Sequence, residues 1–433
     1  MKTICSVDIH EAHSRWQKEG ADSLLCIHFV LGKLPAHWGY VLANGAREIA
    51  DYLSHFELSH EVLASVEDVL FQAGSEDVES FIQALKDVKP SWRVDAVRDG
   101  SFVFGNQPVL CLEGNTLLIL LMLDDLRRRL EWGFNTATRV ARLKTALKDA
   151  ELAVFTDDVT SARGALIAGS SVLLNHVELH KADWVHCMDL EQYELGNFDS
   201  VLLRPDKGLT LDHYEQLLAY LRVWNLDLPR AFYVEFSGAE TLLPSLREFL
   251  DANDASQIEL WCAGPSDPKA LVKQLKNGAS PDRWILDLRG EQNHMGHIKV
   301  HTVKSAILHP GKEWQWMSAL ARDCAFPSLP GFLNIRRYGK RRPSGDMIVN
   351  ERIKASSNLI NDREFLTKSL RGDCETLLEP VFMGSHCTLM QDELADAAYA
   401  KVQKDFFGKN YTALEFPAAY LNGMEQNFFN ELT

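Results

Sequence analysis

The chain has no surplus of basic charge: 45 Lys and Arg stand against 60 Asp and Glu in 433 residues, a formal net charge of −15. A nucleic acid or an anionic membrane needs a positive footprint, so neither is expected as the main partner, and only a local basic pocket for a small anion stays open. No apolar run approaches the roughly 20 residues that a membrane-spanning helix needs. The most apolar stretch, Thr116 to Leu123 (TLLILLML), meets Asp124 and Asp125 at once. The eight cysteines form no C-x-x-C pair, and the start, MKTICSVDIHEAHSRW, shows neither an apolar signal core nor a small-residue cleavage site. Reduced thiols and a cytoplasmic location are the expectation. Also missing are the glycine-rich nucleotide loops GxGxxG and GxxxxGK-Ser/Thr, and the G-x-S-x-G elbow of the hydrolases. Short-period repeats and low-complexity tracts are absent too.

What is present is the composition of a globular protein with a large core, 46% hydrophobic and 24% charged residues. The length fits two or three domains. Residues 1–130 mix helical periods with short strands. Gly45 to His55 and Phe71 to Leu85 carry apolar residues at helical spacing. Ser101 to Phe104 and Pro108 to Leu112 read as strands, with Gly105-Asn106 as a turn between them. From 131 the rhythm changes to alternating strand and helix. Ala153 to Phe155, Ser200 to Leu203, Ala231 to Phe236, Ile258 to Cys262 and Trp284 to Leu286 are strand runs. His213 to Trp224, Leu242 to Ala252 and Asp267 to Leu275 are the helices between them. Such alternation implies parallel strands in an α/β fold, either a barrel or a doubly wound sheet. Residues 341–433 return to helices, including Leu389 to Phe406, and short extended pieces that pack back on the first part.

Three groups of residues are candidates for chemistry. His176 and His180 in NHVELHKADWVHC are four apart, so a helix there would place both on one face, as a zinc pair requires. The order H-V-E-L-H is not the zinc-enzyme pattern, and solvated or core histidines are the plainer reading. His186 follows Trp184-Val185 and precedes Cys187-Met188, the place at the end of a barrel strand where catalytic residues collect, although on local pattern alone a structural role is the plainer reading. The run RRYGKRR (Arg336, Arg337, Lys340, Arg341, Arg342) is either a phosphate pocket or a solvated loop.

Six segments, in order, resemble the nicotinate phosphoribosyltransferase family: Phe29 to Tyr40 with Val41 to Gly45, Asn106 to Gly114 (NQPVLCLEG), Asn135 to Arg142 (NTATRVAR), Ala182 to Cys187 (ADWVHC), Pro327 to Arg337 (PSLPGFLNIRR) and Leu377 to Phe382 (LLEPVF). They span nearly the whole chain. The resemblance implies an α/β protein with an incomplete (β/α) barrel over 131–340 and a second α+β domain built from 1–130 and 341–433. It implies transfer of ribose 5-phosphate from phosphoribosyl pyrophosphate to nicotinate, with ATP and Mg²⁺, in a head-to-tail homodimer. It puts His186 on the family's transiently phosphorylated histidine, the catalytic candidate. His10, Arg139, Ser170, Ser171, Glu235 and Arg337 are the substrate-binding candidates, with Arg163 a further cation.

The sequence departs from the family pattern at several of these places. His10 stands for a tyrosine, Gly32 for an arginine, Asp158 and Val159 for an arginine pair, and Phe236 and Ala239 for two aspartates. Losing one cationic phosphate contact costs about 1.5–3 kcal/mol, so several losses would slow the family reaction by many powers of ten. Two alternatives therefore stand beside it: an inactive relative that senses a ligand or completes a partner, and an enzyme for a neutral or cationic base.

Overall fold

The computed structural model describes residues 6–35, 38–147, 151–156, 177–181, 202–203, 210–223, 228–264, 268–287, 298–317, 331–339, 344–351, 359–361, 367–370, 372–384, 386–387 and 421–425. These fall into two compact units. One takes the described residues up to Thr138 and from Ile298 onward; the other takes those from Arg139 to Asp287.

The first unit opens with α1 (Ser6–Glu19), β1 (Leu24–Leu31), β2 (Val41–Leu42), α2 (Ala46–Ser54), α3 (His60–Gln72) and α4 (Val78–Asp87). Then come β3 (Trp92–Val97), β4 (Phe102–Val103), β5 (Pro108–Asn115) and the 32-residue α5 (Thr116–Leu147), whose last turns belong to the second unit. The second unit continues with β6 (Glu151–Thr156), β7 (Val177–Lys181), β8 (Leu202–Leu203), α6 (Leu211–Val223), β9 (Ala231–Val234), α7 (Ala239–Ala252), β10 (Glu259–Ala263), α8 (Pro268–Lys276) and β11 (Arg283–Asp287). The chain returns to the first unit as β12 (Val300–Leu308), β13 (Gln315–Trp316), β14 (Leu333–Tyr338), β15 (Gly345–Asn350), β16 (Leu359–Asn361), β17 (Thr367–Ser369), β18 (Cys374–Thr376), β19 (Leu378–Gly384), β20 (His386–Cys387) and β21 (Leu421–Glu425).

In the first unit a seven-stranded sheet runs β13-β12-β1-β5-β3-β19-β20, antiparallel throughout. Successive side chains of β1 point to opposite faces. Leu25, Ile27, Phe29 and Leu31 join one apolar core with Ile9, Ile49, Val66, Phe81 and Leu118 from the five helices. The run at 116–123 is thus buried helix, and no described helix is long and apolar enough to cross a membrane. On the other face Cys26 and His28 alternate with these residues, and a six-stranded sheet, β17-β16-β21-β15-β14-β18, approaches through a hydrogen bond from the Leu333 amide to His28.

A short strap, Val41 to Gly45, is gripped from two sides. Its strand pairs with β4, Ala43 exchanges backbone bonds with Gly100 and Ser101, and the Leu42 amide donates to Thr138 Oγ1. On α5 a Cβ at Gly133 would lie 2.7 Å from the Asn44 carbonyl oxygen, and Asn44 Nδ2 donates to the Gly133 carbonyl at 3.2 Å. Alanine normally gains about 1 kcal/mol over glycine inside a helix. Here the oxygen it meets belongs to a strap that cannot retreat, so Gly133→Ala should instead lower stability by about 2 kcal/mol. Urea unfolding checks this, and a stabilised variant would refute the close approach.

The second unit is a six-stranded parallel sheet in the order β7-β6-β11-β10-β9-β8. Its strands are short, and all but β7 (VELHK) have apolar centres, as expected for strands covered on both faces. The described strands and helices fall at the places the periodicity predicts, with boundaries shifted by up to three residues, and the Leu389 to Phe406 helix reading lies outside the described residues. The strands at Phe102–Val103 and Pro108–Asn115 and the turn at Gly105-Asn106 between them stand as read, with β4 pairing to β2. Two readings need correction. Phe71 to Leu85 is two helices, because Gly74 (φ 68°) and Asp77 (φ 57°) take left-handed conformations between α3 and α4. Val177–Lys181, with His180, is a strand and not the helix that the zinc reading needs; His176 lies outside the described residues.

Candidate functional site

The parallel sheet has two unlike edges. At the N-terminal ends of its strands Glu151, Glu259 and Arg283 interlock: Arg283 reaches Glu151 at 2.9 Å and Glu259 at 3.0 Å. Trp261 Nε1 donates to Glu259 at 2.6 Å, and Arg230 and Arg283 lie over its ring at 5.2 and 5.4 Å. Conserving energy in ion pairs at this edge belongs to stability; ligands of parallel α/β folds collect at the opposite, C-terminal ends.

At that C-terminal edge Glu235 follows the last residue of β9, half-buried. The Cys262 thiol, at the end of β10, donates to the Glu235 carbonyl at 3.8 Å. Glu240 lies in the first turn of α7 and is itself half-buried. Burial, with the Glu240 charge behind it, pushes Cys262 up to about 12, which keeps it a neutral thiol and no nucleophile. This edge therefore presents carboxylates. Their oxygens are of the kind that Mg²⁺ takes.

The other sequence-predicted residues lie as follows. Arg139 is buried on α5, 5% exposed, in the second unit. His10 is exposed on α1 in the first unit. Arg337 is buried on β14 at 2% exposure. Its Nε and Nη2 reach the two carboxylate oxygens of Asp346 at 2.8 and 2.7 Å, Nη2 also donates to the Phe102 carbonyl, and Gln107 Nε2 closes on Asp346 at 2.9 Å. Its cross-strand partner in the β14–β15 register is that same Asp346. The described contacts of Arg337 are thus internal. His186, Ser170, Ser171, Arg163, Asp158 and residues 340–343 lie outside the described residues.

The sequence reading missed two buried groups. Cys26, His28 and Cys111 bring their donor atoms within 4.8 Å of one another, the one such group of three metal-ligating side chains among the described residues. The Leu333 amide donates to His28 Nε2 at 3.0 Å, so the ring proton sits on Nδ1, 2.8 Å from Ser305 Oγ. Both nitrogens are thereby satisfied within the protein. The Cys26 and Cys111 sulfurs are 3.6 Å apart, and their contact together with burial raises the Cys111 thiol well above its usual range. Cys26 and Cys111 are thus buried beside a satisfied imidazole. The second group is Asp99, which accepts the amides of Gly45, Ala46 and Arg47 at the start of α2. Burial pushes its carboxyl up to about 6, although the three amides pull the other way. The C-x-H spacing on one strand face was the sole local sign of the first group, and nothing local marked Asp99.

Among solved structures, human nicotinic acid phosphoribosyltransferase matches with a TM-score of 0.67 at 15% identity, covering 99% of this chain and 99% of that one. This chain has the fold of a nicotinate phosphoribosyltransferase. Nicotinate-nucleotide pyrophosphorylase from Pyrococcus furiosus matches over 94% of this chain and 95% of its own, with a TM-score of 0.54 and 13% identity. No family model matches the sequence, and no curated protein matches it. The likeness thus lives in the backbone. It spans both units from end to end, which is what the six ordered segments lead one to expect.

Proposed function

We propose that the chain is a phosphoribosyltransferase that moves ribose 5-phosphate from phosphoribosyl pyrophosphate to nicotinate, giving nicotinate mononucleotide. The observation that carries this reading is the end-to-end likeness to the human enzyme, 99% of each chain. The strand order supports it. Among the described strands of the second unit the first, β6, pairs with the last, β11, the closure that a (β/α) barrel makes.

The reaction builds positive charge at the ribose anomeric carbon as pyrophosphate leaves, so a carboxylate near the ribose and cations near the phosphates are needed. In this reading Glu235 serves the ribose from the C-terminal edge. Arg139 and the hydroxyls of Ser170 and Ser171 serve phosphate, His186 is the catalytic histidine, and His10 faces the pyridine. Arg337 acts through Asp346, holding β14 and β15 in place. ATP and Mg²⁺ accompany the reading, and a homodimer completes the site.

The acidic C-terminal edge favours a second reading, an enzyme or sensor for a neutral or cationic pyridine, because a carboxylate ligand would meet Glu235 and Glu240. Thermal-shift titration separates the two. Phosphoribosyl pyrophosphate with Mg²⁺ should raise the melting temperature, and nicotinate should add more than nicotinamide. The reverse preference supports the second reading, and no shift with phosphoribosyl pyrophosphate argues against phosphoribosyl transfer.

A further inference from the structure

Helix α1 carries a carboxylate whose neighbouring cations are engaged by other carboxylates. Asp8 is half-buried, one turn before Glu11. The groups facing it are Glu11 on its own helix, Asp124 and Arg127 on α5, and Lys304 on β12. Each cation there already answers another carboxylate. Lys304 and Arg15 hold Glu11, Arg15 also reaches Glu19 at 3.2 Å, and Arg127 is divided between Asp124 at 2.6 Å and Glu131 at 2.8 Å. Arg128 closes on Asp124 at 2.8 Å. Among the described residues no hydrogen bond or ion pair reaches the Asp8 carboxylate. The helix is otherwise held by Ile9, Ala12 and His13, the last tilted against Trp16 at 5.8 Å and edge-to-face with Phe81 at 5.1 Å.

We propose that the docking of α1 against α5 and β12 is a proton-operated latch, closed when Asp8 carries a proton and loosened when Asp8 is ionised beside Asp124 and Glu11. A carboxylate in this position keeps its charge against burial and two like charges, with Lys304 and Arg127 pulling the other way. Burial first, and Asp124 next, push Asp8 up to about 6. In the undocked helix it reverts to the ordinary value near 3.8. The docked state therefore binds the proton more tightly. Its extra stability is complete below pH of about 4 and is lost as the pH rises through about 6.

Amide hydrogen exchange over residues 6–19 of the full chain, corrected for intrinsic rates, tests the latch between pH 4.5 and 7.5. Protection of α1 should fall by about tenfold across that range, a value reduced for solvent screening. Asp8→Asn should remove the slope and hold α1 at the protected level, and Asp124→Asn should flatten it independently. Protection that is flat or rises with pH in the wild-type chain overturns the proposal. So does a slope that survives in both variants.

Discussion

Asp346→Ala should lower the stability of the first unit by about 3–5 kcal/mol, because it strands the Arg337 guanidinium in a site where that side chain is 2% exposed. The carboxylate accepts from Arg337 twice and from Gln107 once, and Gln107 in turn receives the Phe104 amide. One substitution therefore loosens β14, β15 and the 102–107 segment together. Arg337→Met combined with Asp346→Leu should recover most of the loss, since an apolar pair of similar volume leaves no buried charge behind. Denaturant unfolding of the two variants, read by hydrogen exchange in β14 and β15, decides it. A loss under about 1 kcal/mol in Asp346→Ala would mean the pair is solvated and Arg337 is free to serve a ligand.

In the second unit the corresponding experiment is Trp261→Ala. The indole is fully buried at 0% exposure, packed with Ala153, Ala231 and Ile285, and its nitrogen is bound by Glu259. Removing it costs the transfer of a large ring plus the cavity it leaves, about 3–5 kcal/mol. The two guanidinium contacts add about 1 kcal/mol. Trp261→Phe should keep the packing and lose the Glu259 bond, a cost of about 1–2 kcal/mol. Exchange in β9, β10 and β11 should report both losses, while β1 and β5 in the first unit stay protected. A loss spread equally over both units would show that they unfold as one.

The parallel sheet was legible because strands buried on both faces are short apolar runs, and five of those runs stand clear in the sequence between polar helix starts. The break between α3 and α4 was hidden because Val78, Phe81 and Leu85 continue an apolar helical period beyond it. Only the left-handed backbone at Gly74 and Asp77 ends the helix. Arg337 shows a sharper limit. As a sequence it belongs to a basic run that reads equally well as a phosphate pocket. Its fate was decided by Asp346, nine residues later and opposite it in the β14–β15 register. The Cys26–His28–Cys111 group depends on pairing across 85 residues of chain, which no local spacing encodes. Glu235 was legible as a substitute carboxylate only through the family resemblance. The structure adds its position at the C-terminal edge of β9.

The most direct test of phosphoribosyl transfer is product formation by the full chain. With phosphoribosyl pyrophosphate, nicotinate, ATP and Mg²⁺, the wild-type protein should yield nicotinate mononucleotide and release pyrophosphate, and His186→Ala should yield none. No nicotinate mononucleotide at high enzyme concentration would contradict the account.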